Sequence, residues 1–194
     1  MQLLKSRQVG RSDVAEEALV RRASAGDPEA FGDLYERHLD RVFRYFYYRV
    51  GQREEAEDLT EQVFLKAWQA MGSYNCRGVP FSAWLFRVAH NLLVDHRRAY
   101  PEIEQLDNAL ALEDDGADPH ELTARRAEAS ELAAALSQLS TIEQSVVALR
   151  FVEGLDHRSV ASIINKSEVA TRSIQSRALA RLARILGVRG RREP

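Results

Sequence analysis

Seven arginines stand between Arg172 and Pro194 against a single acid, Glu193. Arg172 and Ser176 are four residues apart and so share one face of a helix, while Arg177, Arg181 and Arg184 recur along a flank that leads to Arg189, Arg191 and Arg192. Polar groups on an outward face can hydrogen-bond base edges in a duplex groove, and a cationic flank can meet phosphate oxygens. A solvated helix face is the competing reading of such a cluster taken alone. A second set mixes rings with cations: Tyr74, Phe81, Trp84 and Phe86 occur among Arg77, Arg87, Arg97 and Arg98. That mixture suits single-stranded nucleic acid, whose unstacked bases need π-faces and whose phosphates need positive charge. Trp84, Leu85, Val88, Ala89 and Leu92 read as core, and Arg87, Asn91 and the stretch Asp95 to Arg98 as surface. A third set is acidic. Glu54, Glu57, Asp58, Glu61, Gln62 and Gln69 surround Leu65 on one side of a helix, an arrangement suited to docking on a basic protein surface. Acids near a helix start also stabilise the helix, and single exposed leucines are common, so a plain solvated face fits the same residues.

Catalytic chemistry finds no comparable support. His90 and His96 lie on different helix faces, and His38 and His157 fall in other segments, so no metal-ligand spacing emerges. Neither a glycine-rich phosphate loop nor a nucleophile with a base can be assembled. A protein that is not an enzyme, and that uses no cofactor or metal, is expected.

The elements that must hold these sets are helices. Asp27-Pro28-Glu29 supplies a cap, a proline at the first helical position and an acid in the first turn. Gly51 stops a helix whose apolar or ring residues are Phe31, Leu34, Tyr35, His38, Val42 and Phe46. A shorter helix precedes it, from about Asp13 to Ala25. A third runs from about Arg53 to Met71, with the stripe Ala56, Leu59, Val63, Ala67 and Ala70, and a fourth from Phe81 to Arg98. Beyond the acidic stretch, Leu132, Leu136 and Leu139 resume the helical period, and Ser140 to Glu143 forms a capping box. Gly154 ends that helix, Asp156 caps a short one, Asn165 marks a tight turn, and Ser167 caps a longer helix striped by Ala170, Ile174, Ala178, Leu182 and Ile185. A short helix, a tight turn and a longer basic helix have the proportions of a helix-turn-helix.

The whole chain of 194 residues is 45% hydrophobic and 29% charged, enough to fold, and it contains no strand-like alternation. The net charge of −2 hides an asymmetry, because ten acids against two arginines fall between Ala99 and Glu131, just ahead of the arginine-rich end. The reading is therefore all-α. A basic N-terminal extension spans residues 1–12, a first helical domain 13–98, a flexible acidic linker 99–120, a helix-turn-helix domain 121–188 and a basic tail 189–194. One cysteine, Cys76, excludes an internal disulfide, and no run of 18 apolar residues or signal-like apolar region occurs, so a cytoplasmic protein is expected.

These residues carry a resemblance. The run from Asp58 to Trp68 (DLTEQVFLKAW), followed by Pro80 to Arg98 (PFSAWLFRVAHNLLVDHRR), resembles conserved region 2 of bacterial sigma factors. The run Leu139-Ser-Thr-Ile-Glu-Gln with the helix-turn-helix from Leu155 to Leu182 resembles region 4. With only these two regions and a short linker, the chain is similar to the extracytoplasmic-function group of the sigma-70 family. The resemblance implies an alternative sigma factor that binds RNA polymerase core and directs it to a promoter subset. It implies that Asp58, Glu61, Gln62 and Leu65 meet the clamp of the largest polymerase subunit, that the segment carrying Arg77, Arg87, Asn91, Arg97 and Arg98 opens and holds the −10 element, and that Arg172, Ser173, Ser176 and Arg177 read the −35 element. It also implies an anti-sigma partner, often membrane-linked. The chain departs from the commoner family pattern in the order Glu61-Gln62, in Thr171 where valine is frequent, and in Val169 where glycine is frequent. A stand-alone helix-turn-helix regulator, dimeric on a palindrome, is the alternative; it accounts for the second block and leaves the acidic helix unexplained.

Overall fold

The computed structural model describes residues 15–74, 80–99 and 131–187. The extension, the basic tail, Cys76, Arg77 and the linker beyond Ala99 lie outside these residues. Eight α-helices occur among those described: α1 (15–24), α2 (Pro28–Val50), α3 (Arg53–Ala70), α4 (Phe81–Ala99), α5 (131–137), α6 (Thr141–Val147), α7 (His157–Ile163) and α8 (Glu168–Ile185). No strand is present among the described residues.

Local chemistry sets the helix ends. The Asp27 carboxylate accepts the backbone N–H groups of Glu29 and Ala30 at 3.0 and 3.2 Å, satisfying donors that the first turn of α2 leaves open. At the other end Gly51 adopts φ 75°, where a Cβ would be strained, and its N–H reaches the Tyr47 carbonyl at 3.1 Å. Helix α3 does not stop at Met71; it tightens after Ala70 into a 3₁₀ turn, Met71–Ser73, that contains Gly72. Ser140 and Glu143 form their capping box, Asp156 accepts Ser159 N–H at 2.7 Å, and Ser167 accepts Ala170 N–H at 3.2 Å. Asn165 is the one non-glycine described residue with positive φ, 55°, at the turn between α7 and α8. The helix begun at α6 does not end cleanly before Gly154. It widens into a π turn, Ala148–Val152, and the chain reverses at Gly154, φ 66°.

Leu34, Val42, Phe46, Val63, Leu85, Phe86 and Leu93 are fully enclosed at the centre of the first block. Their cluster continues without a break into Val146, Leu149, Val160, Ile163 and Ile174 of the second block, because α7 packs on α4. A smaller cluster of Ala135, Leu139, Ala178 and Leu182 joins α5 to α8. Polar bonds close the seam between the blocks. Arg41 Nε lies 2.8 Å from Glu153 Oε2, Arg49 donates to the Gln144 carbonyl at 3.3 Å, and Arg97 donates to Thr141 Oγ1 at 2.6 Å. No described helix is long and apolar enough to cross a membrane.

Candidate nucleic-acid and protein interfaces

Helix α3 is fixed by its inner side. Ala56, Leu59, Val63, Phe64 and Ala67 are buried, and Thr60 joins them because its hydroxyl donates to the Ala56 carbonyl at 2.7 Å. Rings of α2 clamp it, Tyr35 edge-on to Phe64 at 4.6 Å and Phe31 tilted on Trp68 at 4.9 Å. His96 and Glu55, 2.7 Å apart, tie it to α4. What remains outside is the expected set: Asp58, Glu61, Gln62 and Leu65 are all exposed, Leu65 at 57%. Among the described residues Asp58 and Glu61 form no ion pair, so their charge is left for something outside the fold.

The ring-and-arginine segment is arranged differently from its sequence reading. Phe81 and Phe86 are core, while Tyr74 and Trp84 are half-buried and tilted against one another, ring centres 4.8 Å apart. Asn91 and Arg98 are exposed on α4 as expected. Arg87 and Arg97 are not free surface. Arg87 donates to Ser162 Oγ of α7, and Arg97 reaches Thr141, the Gln144 side chain at 3.4 Å and the Arg49 carbonyl at 3.3 Å. The physical reason is the seam: α7 and the start of α6 lie over this side of α4, and a half-buried guanidinium takes whatever carbonyl or hydroxyl oxygen is offered. Arg77 lies outside the described residues.

Helix α8 buries Thr171, Ile174, Ala178 and Leu182. Thr171 is fully enclosed, its hydroxyl donating back to the Ser167 carbonyl at 3.0 Å, so the inward stripe starts there rather than at the half-buried Ala170. Gln175 holds the helix to the chain before it: its Oε1 accepts from Arg150 Nε at 3.2 Å and lies 3.0 Å from His157 Nε2. Outward stand Arg172, Ser173, Ser176 and Arg177, all exposed. Arg172 leans on Glu168 at 3.5 Å, and Arg181 lies 3.8 Å from Glu143. The hydroxyl and N–H of Ser140, helped by Arg181 and Arg177, hold the Glu143 carboxyl below its ordinary range, so this acid offsets part of the basic flank. Within the described residues neither serine of this face has a side-chain hydrogen bond.

Sequence reasoning missed Arg41, Arg49 and Glu153, which join the blocks. Arg49 is buried with its guanidinium 3.7 Å from the centre of the Tyr45 ring, and burial pushes its pKa down from the ordinary arginine value. Burial pushes the Glu153 carboxyl up, against the pull of Arg41. Arg41 and Glu153 are 112 residues apart, and nothing local in either segment signals the pair.

A helix-turn-helix with Arg172, Ser173, Ser176 and Arg177 exposed, packed on a helical domain that presents an acidic, leucine-centred face, has the architecture of a helical DNA-binding protein. Comparison with known proteins narrows the class. Residues 34–100 match Sigma-70 region 2 and residues 135–184 match Sigma-70, region 4. The chain is 36% identical over 170 residues to the ECF RNA polymerase sigma factor BldN of Streptomyces coelicolor, covering 87% of this chain and 64% of BldN. It is 31% identical over 180 residues to the RNA polymerase sigma factor NccH of Alcaligenes xylosoxydans xylosoxydans, covering 88% of this chain and 94% of NccH. The solved structure of CnrH in complex with the cytosolic domain of CnrY superposes with TM-score 0.65 at 26% identity, over 91% of this chain and 99% of that one. The chain belongs to the extracytoplasmic-function group of the sigma-70 family. It is an alternative sigma factor, a transcription initiation factor rather than a member of an enzyme class.

Proposed function

We propose that this sigma factor docks on the clamp of the largest subunit of bacterial RNA polymerase through Asp58, Glu61, Gln62 and Leu65, and directs the polymerase to promoters with a −10 and a −35 element. Residues 13–98 act as the region 2 domain and 121–188 as the region 4 domain; 99–120 link them, and 1–12 and 189–194 are basic ends. Arg77, Arg87, Asn91, Arg97 and Arg98 hold the −10 strand, and Arg172, Ser173, Ser176 and Arg177 read the −35 duplex. The protein needs no cofactor, performs no catalysis of its own and works in the cytoplasm. Because Arg87 and Arg97 are engaged by the second block, that block moves off α4 when the −10 element is bound. An anti-sigma factor is the further partner; CnrH, to which this chain is similar in structure, is itself held in a complex with the cytosolic domain of CnrY. The apolar cleft lined by Tyr48, Leu132, Leu136, Val147 and Val152 at the seam is a place for its apolar side chains.

The observation that carries this reading is the outer side of α3. An exposed leucine among unpaired acids gains nothing for the fold, since the helix is already locked by its buried side, whereas it matches a basic, partly apolar protein surface. The affinity of the chain for core polymerase tests it. One-to-one binding is expected, weakened at least tenfold, or about 1.4 kcal/mol, by Asp58→Lys with helix content unchanged. Unchanged affinity in the folded variant would remove the α3 face from the interface, and no binding by the monomeric wild type would overturn the reading.

A further inference from the structure

Val169 is 76% exposed, the most open of the large apolar side chains among the described residues. It stands in the first turn of α8, three and four residues before Arg172 and Ser173 and seven before Ser176, so all four project from one outward stripe. Helix packing does not call for it, because the inward stripe of this turn is carried by Thr171 and Ile174. Nor does helix propensity, since a β-branched side chain is a poorer helix former than the alanine or the long polar residues that suit an exposed turn. Its neighbours on the stripe can donate hydrogen bonds, and the two serines can accept them as well; valine can do neither. In the major groove one base presents an apolar group, the C5-methyl of thymine, and an apolar side chain there selects it without a hydrogen bond.

We propose that Val169 is a specificity-determining residue, packing on the methyl group of a thymine at one end of the sequence that Arg172, Ser173 and Ser176 face. The proposal rests on the assignment of α8 to the −35 element. It places methyl recognition at the edge of the site and hydrogen-bond recognition at its centre, because Val169 is the first residue of the stripe.

Uracil isolates the interaction: it keeps the Watson–Crick edge and the O4 acceptor of thymine and lacks only the methyl. Holoenzyme assembled from core polymerase and the full chain is used to select promoters from a library randomised across the −35 region. Each thymine of the selected element, on either strand, is then replaced singly by deoxyuridine. The expected result is one position at which deoxyuridine weakens wild-type promoter binding about three- to fivefold, the worth of one buried methyl group. Holoenzyme carrying Val169→Ala, a change that favours the helix and removes the two methyl groups that reach furthest, should lose most of the preference for thymine over deoxyuridine there while still losing affinity to base-pair changes elsewhere in the element. Deoxyuridine tolerated by the wild type at every position, or a Val169→Ala variant that keeps the full thymine preference, overturns the proposal. If the selection yields no −35 preference at all, the assignment of α8 itself falls, and this inference with it.

Discussion

Helices α3 and α8 are both 18 residues long and both bury one side, yet they expose opposite charge on blocks built in different ways. Among its described residues the first block buries the basic side chains His38, Arg49 and His90 and surrounds them with rings: Tyr45 lies edge-on to Phe86 at 5.4 Å and to Phe46 at 5.6 Å. Among the described residues of the second block Glu153 alone is buried with a charge, and its partner, Arg41, belongs to the first. The first block thus keeps His38 and His90 for its own interior and shares Arg49 with the seam, whereas the second commits its buried charge to the seam alone. A domain of the first kind suits the platform, and one of the second kind the reading head, of the function proposed above.

The sharpest test of that contrast is acid. His90 is buried, its Nδ1 is 3.2 Å from the Tyr45 hydroxyl, and desolvation, with Arg49 nearby, pushes its pKa down from 6.5 to about 4. The unfolded chain therefore takes up the proton first. This contribution to stability is complete above pH 6.5, is lost as pH falls towards about 4, and changes no further below that. At about 1.4 kcal/mol per pKa unit it amounts to about 3 kcal/mol. Urea unfolding at pH 7 and pH 4 should show wild type losing that much more than His90→Gln, which can still accept from Tyr45. Equal losses would mean that the platform is not ordered by this buried neutral histidine.

How far these features were legible follows from the range of the interactions that make them. Asp27 with Pro28, Gly51, Ser140 with Glu143, Asp156 and Ser167 act on backbone groups within a few residues of themselves, and every one of those boundaries lies where the sequence indicates. The outward faces of α3 and α8 were legible for the same reason, since helical spacing fixes which residues share a side. The seam was not. Arg41 with Glu153 and Arg87 with Ser162 join residues 112 and 75 apart, and periodicity carries no information about which surface turns against another block. Thr171 was left off the inward stripe for a subtler reason: a hydroxyl that donates to the preceding turn is satisfied internally, so the residue packs as valine would.

The seam supplies the second test. Glu153 is 1% exposed at its side chain and Arg41 31%, so the pair is half in solvent. Removing the arginine strands a buried carboxylate, which costs about 3–5 kcal/mol when the site is fully closed. With one partner exposed and Arg44 and Arg49 still close, about 2 kcal/mol is expected for Arg41→Ala. Glu153→Gln removes the buried charge and keeps an oxygen for Arg41, and should cost under about 1 kcal/mol. The closed form holds the Glu153 pKa above its ordinary value, so closure is strongest below that ordinary value and weakens as pH rises through the raised one. Small-angle scattering at neutral pH should show Arg41→Ala expanded and Glu153→Gln as compact as wild type. Equal compactness of all three would mean that apolar packing of α7 on α4 alone sets the attachment.

The smallest effect falls on α8 and separates the two exposed faces. Arg177 is exposed, with no hydrogen bond or ion pair of its own among the described residues, so Arg177→Ala should leave unfolding unchanged. Taking one cation away from the phosphates of the −35 duplex should weaken promoter binding by holoenzyme by about 1 kcal/mol and reduce the salt slope by about one. Core affinity should be untouched. Asp58→Lys acts in the opposite sense, weakening assembly and leaving the salt slope of the assembled holoenzyme as it was. Because the two residues lie on different blocks and share no partner, the double variant should show the sum of the single losses. A coupled response would mean that the platform and the reading head communicate through the seam, with the charge on one face felt at the other.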